Sequence, residues 1–280
     1  MLGYRDLKEP SVSAFSRFLA KVGDGIMKMQ IVRIEFGGKK ASFRVPKHTD
    51  RYRAPYERCF GKMERGEAVM KYFGMPAVMW TLFLRSFREN LSSVFVYDKK
   101  VADTITRSAK MRYKELIAEL PEFEKADRFK MNIVGCAKLC AFVLSMPDRP
   151  CVEQLTEYYV RSMMTKTMKA FCRMSAKQKF TEKDIAAMKA TAKLKAADRN
   201  PYSWSMDFFE YPDNSGYEAR FYKCGICTLM KKIGLYDLTP AMCRLDYTMS
   251  EASGKTDFVR VYTLASGGPY GVCGYKRKEK

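Results

Sequence analysis

Four thiols and one carboxylate crowd a single stretch of this chain: Cys224, Cys227, Cys243, Asp246 and Cys273. Cys224-Gly-Ile-Cys227 is a Cys-x-x-Cys pair, and two thiolates at that spacing can share a zinc ion or exchange with a disulfide. Cys243-Arg-Leu-Asp246 sets a thiol and a carboxylate three residues apart, on one face if the segment is helical. Cys273 follows the Gly-rich turn Ser266-Gly-Gly-Pro269. One reading of Cys224, Cys227, Cys243, Asp246 and Cys273 is a site for zinc or another divalent metal. The other is that several of them are packed core thiols.

These residues need a scaffold, and the sequence around them suggests one. From Ser203 onward, Trp204–Glu210, Tyr217–Tyr222 and Phe258–Leu264 are rich in aromatic and β-branched residues, with turns at Pro212–Gly216 and Ser253-Gly254. They read as strands of a small antiparallel sheet. Cys224 to Ile233 interrupts them as a helix stopped at Gly234. Upstream, residues 57–200 read as helices. Val101, Ile105, Ala109, Tyr113, Leu116, Ile117 and Leu120 follow the helical period up to Pro121. Met131–Met146 is apolar on most faces and reads as a buried helix, ended by Pro147-Asp-Arg-Pro150. Val152–Met174 reads as one further helix. Thr181-Glu-Lys-Asp184 has the form of a capping box opening another. The methionines at Met163, Met164 and Met168 read as core, and Cys136 and Cys140 as packed thiols.

The expected class is therefore α+β, with a helical N-terminal and middle region packed with a small antiparallel sheet in the C-terminal third. Residues 1–70 read as an N-terminal extension. In it, Gln30–Phe36 and Ala41–Val45 form a hairpin around Gly37-Gly38. Residues 71–200 are the helical region and 201–275 the Cys-rich α+β region, with 71–275 as one domain. His48, the one histidine, stands in a polar loop and reads as solvated. A single histidine removes most His-based metal sites and weakens any Cys–His or Ser–His machinery.

Composition bounds the partners. The chain has 280 residues, 47% of them hydrophobic, which supports a sizeable core. Lys and Arg number 51 against 31 Asp and Glu, a formal charge of +20. The basic residues are spread along helix faces among acids, for example Lys177, Lys179, Lys183 and Lys189 around Glu182 and Asp184. No nucleic-acid motif accompanies them, so a nucleic-acid partner is not expected. Met75–Leu84 is shorter than the roughly 20 residues that cross a bilayer, and Met1–Pro10 has no signal core. A cytoplasmic protein is expected, whose nine cysteines are thiols rather than staples.

At the Cys-rich stretch a resemblance emerges. Cys224, Leu229–Gly234, Leu238-Thr-Pro-Ala-Met-Cys243, Asp246, Arg260-Val-Tyr-Thr-Leu-Ala265 with Gly267-Gly268, and Cys273 match in order and spacing. Together they resemble the L-2-amino-thiazoline-4-carboxylic acid hydrolase family. A weaker likeness extends back to about Tyr113, and residues 1–70 are not covered. The family pattern ends Cys-Asp-Phe, whereas here Gly274 stands where Asp is usual. A carboxylate with a catalytic or ligand role there would be missing.

The resemblance implies a small-molecule substrate and a ring opening: water adds to C2 of a thiazoline, the ring C–S bond breaks, and N-carbamoyl-cysteine results. Asp246 is the candidate to hold the amidine-like N–C–N group. Arg260 is the candidate for the substrate carboxylate, with Arg244 second; for Arg244 a solvated charge is the plainer reading. Thr263, Gly267 and Gly268 would shape the pocket, the glycines equally well forming only a tight turn. Water could be activated by a metal or a carboxylate base, or Cys243 could attack C2 as thiolate. The rival reading is a non-catalytic small-molecule-binding or sensor domain, because the Cys-rich ending also distantly resembles the four-vinyl-reductase-type ligand-binding domains.

Overall fold

A computed structural model describes residues 29–36, 39–46, 71–123 and 127–278. The chain divides into two compact units, Met1–Glu64 and Arg65–Lys280. In the first, β1 (Met29–Phe36) pairs antiparallel with β2 (Lys39–Pro46), as the alternating pattern predicts. The Gly37-Gly38 turn, His48 and the 47–55 loop lie outside the described residues.

The second unit is α+β, as expected from the sequence. Helix α1 (Met75–Phe95) begins after Gly74, whose φ is +71°, with Pro76 in its first turn. It buries Met79, Trp80, Phe83, Phe87 and Leu91 at helical spacing. Helix α2 (Lys99–Glu119) is capped by Asp98, which accepts from the Val101 N–H at 2.8 Å. It buries the periodic set Ile105, Ala109, Tyr113, Leu116 and Ile117. Helix α3 (Lys130–Val143) is buried at every position from Ile133 to Val143 and packs against α1 and α2. Among the described residues, no helix is long and apolar enough to cross a membrane.

One residue of α3 breaks the apolar rule. Lys138 is fully buried. Its Nζ donates to the carbonyls of Met79 (3.0 Å) and Trp80 (3.2 Å) and sits 4.4 Å from the centre of the Phe87 ring. Burial holds its pKa well below the ordinary lysine range. The unfolded chain then binds a proton that the folded chain does not, between the lowered value and about 10.4. Stability is full above that window and falls as pH drops through it. Lys138→Met should therefore stabilise the protein at neutral pH, and the gap to wild type should narrow as pH rises toward 10. Urea unfolding at several pH values measures it.

The sequence predicts one helix from Val152 to Met174, but the chain forms two, α4 (Val152–Met163) and α5 (Lys166–Ala176). Thr165 is the cause: its hydroxyl accepts from the Met168 N–H at 3.2 Å and starts a new helix. Helix α6 (Glu182–Ala196) opens on the expected cap, Thr181 accepting from the Asp184 N–H at 3.2 Å.

The sheet has strands β3 (Ser205–Glu210), β4 (Gly216–Lys223), β5 (Thr256–Val259) and β6 (Gly271–Arg277) in the order β3-β4-β6-β5, antiparallel throughout. Between strands lie α7 (Gly225–Lys232) and α8 (Thr239–Ser253). Gly234 ends the α7 segment at φ +71°, as its glycine predicts. Helix α8 packs on α4, α5 and β5. The predicted strand over 258–264 stops at Val259. Beyond it Arg260 bonds to neighbouring carbonyls and Thr263 caps a short 3-10 turn, Leu264–Ser266. Val261 is left 71% exposed, so the alternation there has no buried face to serve.

Candidate active site

A cavity of about 200 Å³ lies between the helices and the sheet. Cys224, Cys227, Cys243, Asp246, Arg260, Thr263 and Cys273 all line it. The rest of the wall is mostly apolar, including Met79, Phe129, Met168, Phe171 and Trp204. Local structure explains the convergence. Cys224 is the N-cap of α7, and Cys227 is one turn further on. Met242, Leu245, Asp246 and Met249 share one side of α8, as their spacing requires. Cys273 is on the helix-facing side of β6.

Arg260 organises the polar end. Its side chain is only 8% exposed. Nε donates to the Val272 carbonyl at 2.7 Å and Nη1 to the Cys243 carbonyl at 2.8 Å. Nη2 donates to Asp246 Oδ2 at 2.6 Å and to Cys273 Sγ at 2.9 Å. A guanidinium has five N–H groups, so this geometry leaves one on Nη1 for a ligand. Burial would lower its pKa, but Cys273, Asp246 and the hydrogen bond to Asp246 outweigh that and hold the positive charge firmly. The Asp246 side chain is 40% exposed and meets Arg260 through Oδ2.

The thiols differ in character. Burial pushes Cys243 up to about 11 and Cys273 up to about 12. Both are therefore neutral thiols at ordinary pH. Cys227 accepts the S–H of Cys224, and that hydrogen bond pulls the Cys227 pKa down while raising that of Cys224.

Among the described residues, no three His, Cys, Asp or Glu side chains group so as to hold a metal ion. The expected zinc or other divalent site from Cys224, Cys227, Cys243, Asp246 and Cys273 therefore has no ready-made ligand group among these residues. The physical reason is Arg260, whose cation binds Asp246 and Cys273 where a metal would have to compete. Gly267 and Gly268 do not line the cavity either. Gly267 takes φ +80°, the Gly268 N–H donates to the Thr263 carbonyl at 3.0 Å, and together they close a turn. The Thr263 hydroxyl reaches the cavity wall but is bonded to Ser266 Oγ at 2.6 Å. Arg244 is exposed, with its guanidinium 4.9 Å from the centre of the Tyr247 ring, and is not on the wall.

Two polar wall residues were not legible. Tyr159 of α4 is 3% exposed, and burial above all keeps its phenol neutral. Asn132 of α3 is the other. Tyr159 sits within an apolar pattern that signals packing, while Asn132 is exposed at the start of α3, and only the placing of the helices shows that both border a space. Met163 and Met168, read as core, are buried but form part of the cavity wall.

Gly274 is positioned differently from what its neighbour Cys273 suggests. Side chains alternate along a strand, so position 274 points to the opposite face of the sheet. A Cβ there would lie 2.5 Å from the Tyr211 hydroxyl and 3.0 Å from the Val259 carbonyl oxygen. A carboxylate at 274 would not enter the cavity. Gly274→Asp should cost about 1–3 kcal/mol of stability by overpacking and leave the rate per folded molecule within about twofold, because the new side chain lies on the face of the sheet away from the cavity. Denaturant unfolding and an activity assay on the same samples separate the two.

Residues 139–275 match the family model described as L-2-amino-thiazoline-4-carboxylic acid hydrolase. No curated protein and no solved structure matches the chain.

Proposed function

We propose, on the premise that the stretch from residue 139 to 275 belongs to the L-2-amino-thiazoline-4-carboxylic acid hydrolase family, that this protein hydrolyses the ring of a small cyclic amidine bearing a carboxylate. The observation that carries this reading is the pairing of Asp246 with Arg260 in a largely apolar cavity. The substrate presents complementary features, an amidine that accepts a proton and a carboxylate.

In this reading Asp246 holds the protonated N–C–N group through charge-assisted hydrogen bonds. Its negative charge favours the amidinium form, which makes C2 a stronger electrophile. The apolar walls strengthen the attraction, since fewer water dipoles oppose it. The remaining Arg260 N–H and the Asn132 amide are the donors for the substrate carboxylate. Water adds to C2 and gives a proton to Asp246. The C2–S bond then breaks, the departing sulfur takes up the proton from the same carboxyl group, and the new urea carbonyl releases to solvent the proton that the amidine had taken up. The product is N-carbamoyl-cysteine, the sum of substrate and one water.

Cys243 suits this route as a neutral thiol beside the reacting ring. Attack by Cys243 itself would first require removing a proton that burial holds at about 11. The test is product identification by mass spectrometry after incubation with L-2-amino-thiazoline-4-carboxylate. N-carbamoyl-cysteine is expected, with one oxygen from solvent when the reaction is run in labelled water. An intact substrate would count against the reaction, and a bound but unaltered ligand would favour a binding domain.

A further inference from the structure

Cys224 and Cys227 have no part in the hydrolysis just described, yet both line the cavity. They bracket the first turn of α7, with Cys224 in extended backbone (φ −132°, ψ 116°) and Cys227 inside the helix. Both side chains face the same cavity, and the hydrogen bond between them favours the charged form of Cys227 and disfavours that of Cys224. Gly225 between them is pressed against the preceding loop: a Cβ there would lie 1.9 Å from the Tyr202 carbonyl oxygen. The turn that carries the pair is thus locked by close backbone approach. Neither cysteine is in a disulfide.

The pair differs from every other thiol near it. Cys136 and Cys140 are also within 3.8 Å of each other, but both are fully buried in α3. Cys243 and Cys273 are neutral thiols. Cys227 is the thiol whose charged form is favoured, by its partner's hydrogen bond and by its place in the first turn of a helix.

We propose that Cys224 and Cys227 are a redox-active dithiol that reduces small disulfides entering the cavity. The Cys227 thiolate attacks one sulfur of the disulfide R–S–S–R. A mixed disulfide forms on Cys227 and one RS⁻ leaves. Cys224 then gives its proton to that thiolate and attacks the Cys227 sulfur, expelling the second RS⁻, which is protonated by water. The protein dithiol loses two electrons and two protons, and the disulfide gains them as two RSH. The low thiolate cost at Cys227 speeds the first step, and the proximity of Cys224 makes the second intramolecular.

The experiment treats the reduced full-length protein with excess glutathione disulfide and maps disulfides by peptide mass spectrometry after alkylation. A bond between residues 224 and 227, with two glutathione thiols released per protein, is expected. Cys224→Ser should stop at a mixed disulfide on Cys227. Cys227→Ser should slow first-thiol release from this pair at least about tenfold, since burial still disfavours the Cys224 thiolate once Cys227 is gone. Exposed Cys151 supplies an internal control for non-specific glutathionylation. The proposal is overturned if wild-type protein glutathionylates Cys151 while 224 and 227 stay reduced. It is equally overturned if Cys227→Ser reacts at Cys224 as fast as wild type reacts at Cys227. The wild-type map decides the matter even if a serine variant does not fold.

Discussion

Asp246→Asn should lower kcat/KM for thiol release by about 10²–10⁴-fold, the range for loss of a positioned acid–base group. The substitution keeps the size of the side chain and can still accept a hydrogen bond from Arg260, so folding should survive. What it removes is the negative charge that holds the amidinium and the group that accepts the water proton. The loss should appear mainly in kcat, because the proton transfers occur only on the way to the transition state. A variant with a tenfold higher KM and unchanged kcat would instead show that Asp246 only binds. Steady-state kinetics with a thiol reagent separates these outcomes.

Arg260→Met should destabilise the protein by roughly 3 kcal/mol, the lower end for breaking a buried ion pair, because Asp246 keeps some solvent contact. The side chain joins four partners on two elements: Asp246 and the Cys243 carbonyl on α8, and the Val272 carbonyl and Cys273 on β6. Methionine fills much of the volume but donates nothing. The Val272 carbonyl loses a donor, and the helix and strand lose their common clamp. Activity should fall as well, because Asp246 is no longer held in place. Arg260→Lys should recover part of the stability but little of the activity, since an ammonium cannot reproduce the planar fork. Denaturant unfolding gives the first quantity, and the same thiol assay gives the second.

How much of this was legible in the sequence depended on the kind of signal. Five residues singled out by type and spacing, Cys224, Cys227, Cys243, Asp246 and Cys273, and two singled out through the family resemblance, Arg260 and Thr263, do line one cavity. Helical and strand periods fix the side on which each residue projects, and order along the chain does the rest. The α2 and α3 helices and strands β3 and β4 followed from apolar periodicity, while β6, the strand beside β4, was not read as a strand. The helix read across 152–174 failed because a threonine N-cap is a local hydrogen bond that interrupts an unbroken apolar pattern. The strand read across 258–264 failed because alternation marks a strand only when one face is buried, and Val261 is exposed. Metal ligation was a fair reading of thiols and a carboxylate in sequence. No spacing rule could show that Arg260 would already occupy two of them. Tyr159 was hidden for the converse reason, since a wall residue and a core residue look alike until neighbouring helices are placed, and exposed Asn132 was hidden because nothing in the sequence shows which helix end borders a space. Gly274 was suspected because it follows Cys273, yet one step along a strand reverses the face.

The most direct test of the central claim is the time course of thiol release from L-2-amino-thiazoline-4-carboxylate in large excess over the wild-type protein. Linear release continuing through many equivalents per protein is predicted, with Gly274→Asp matching it per folded molecule and Asp246→Asn close to the uncatalysed background. Release by Asp246→Asn at the wild-type rate would contradict the account, because the reaction would then run without the carboxylate that the cavity is built around.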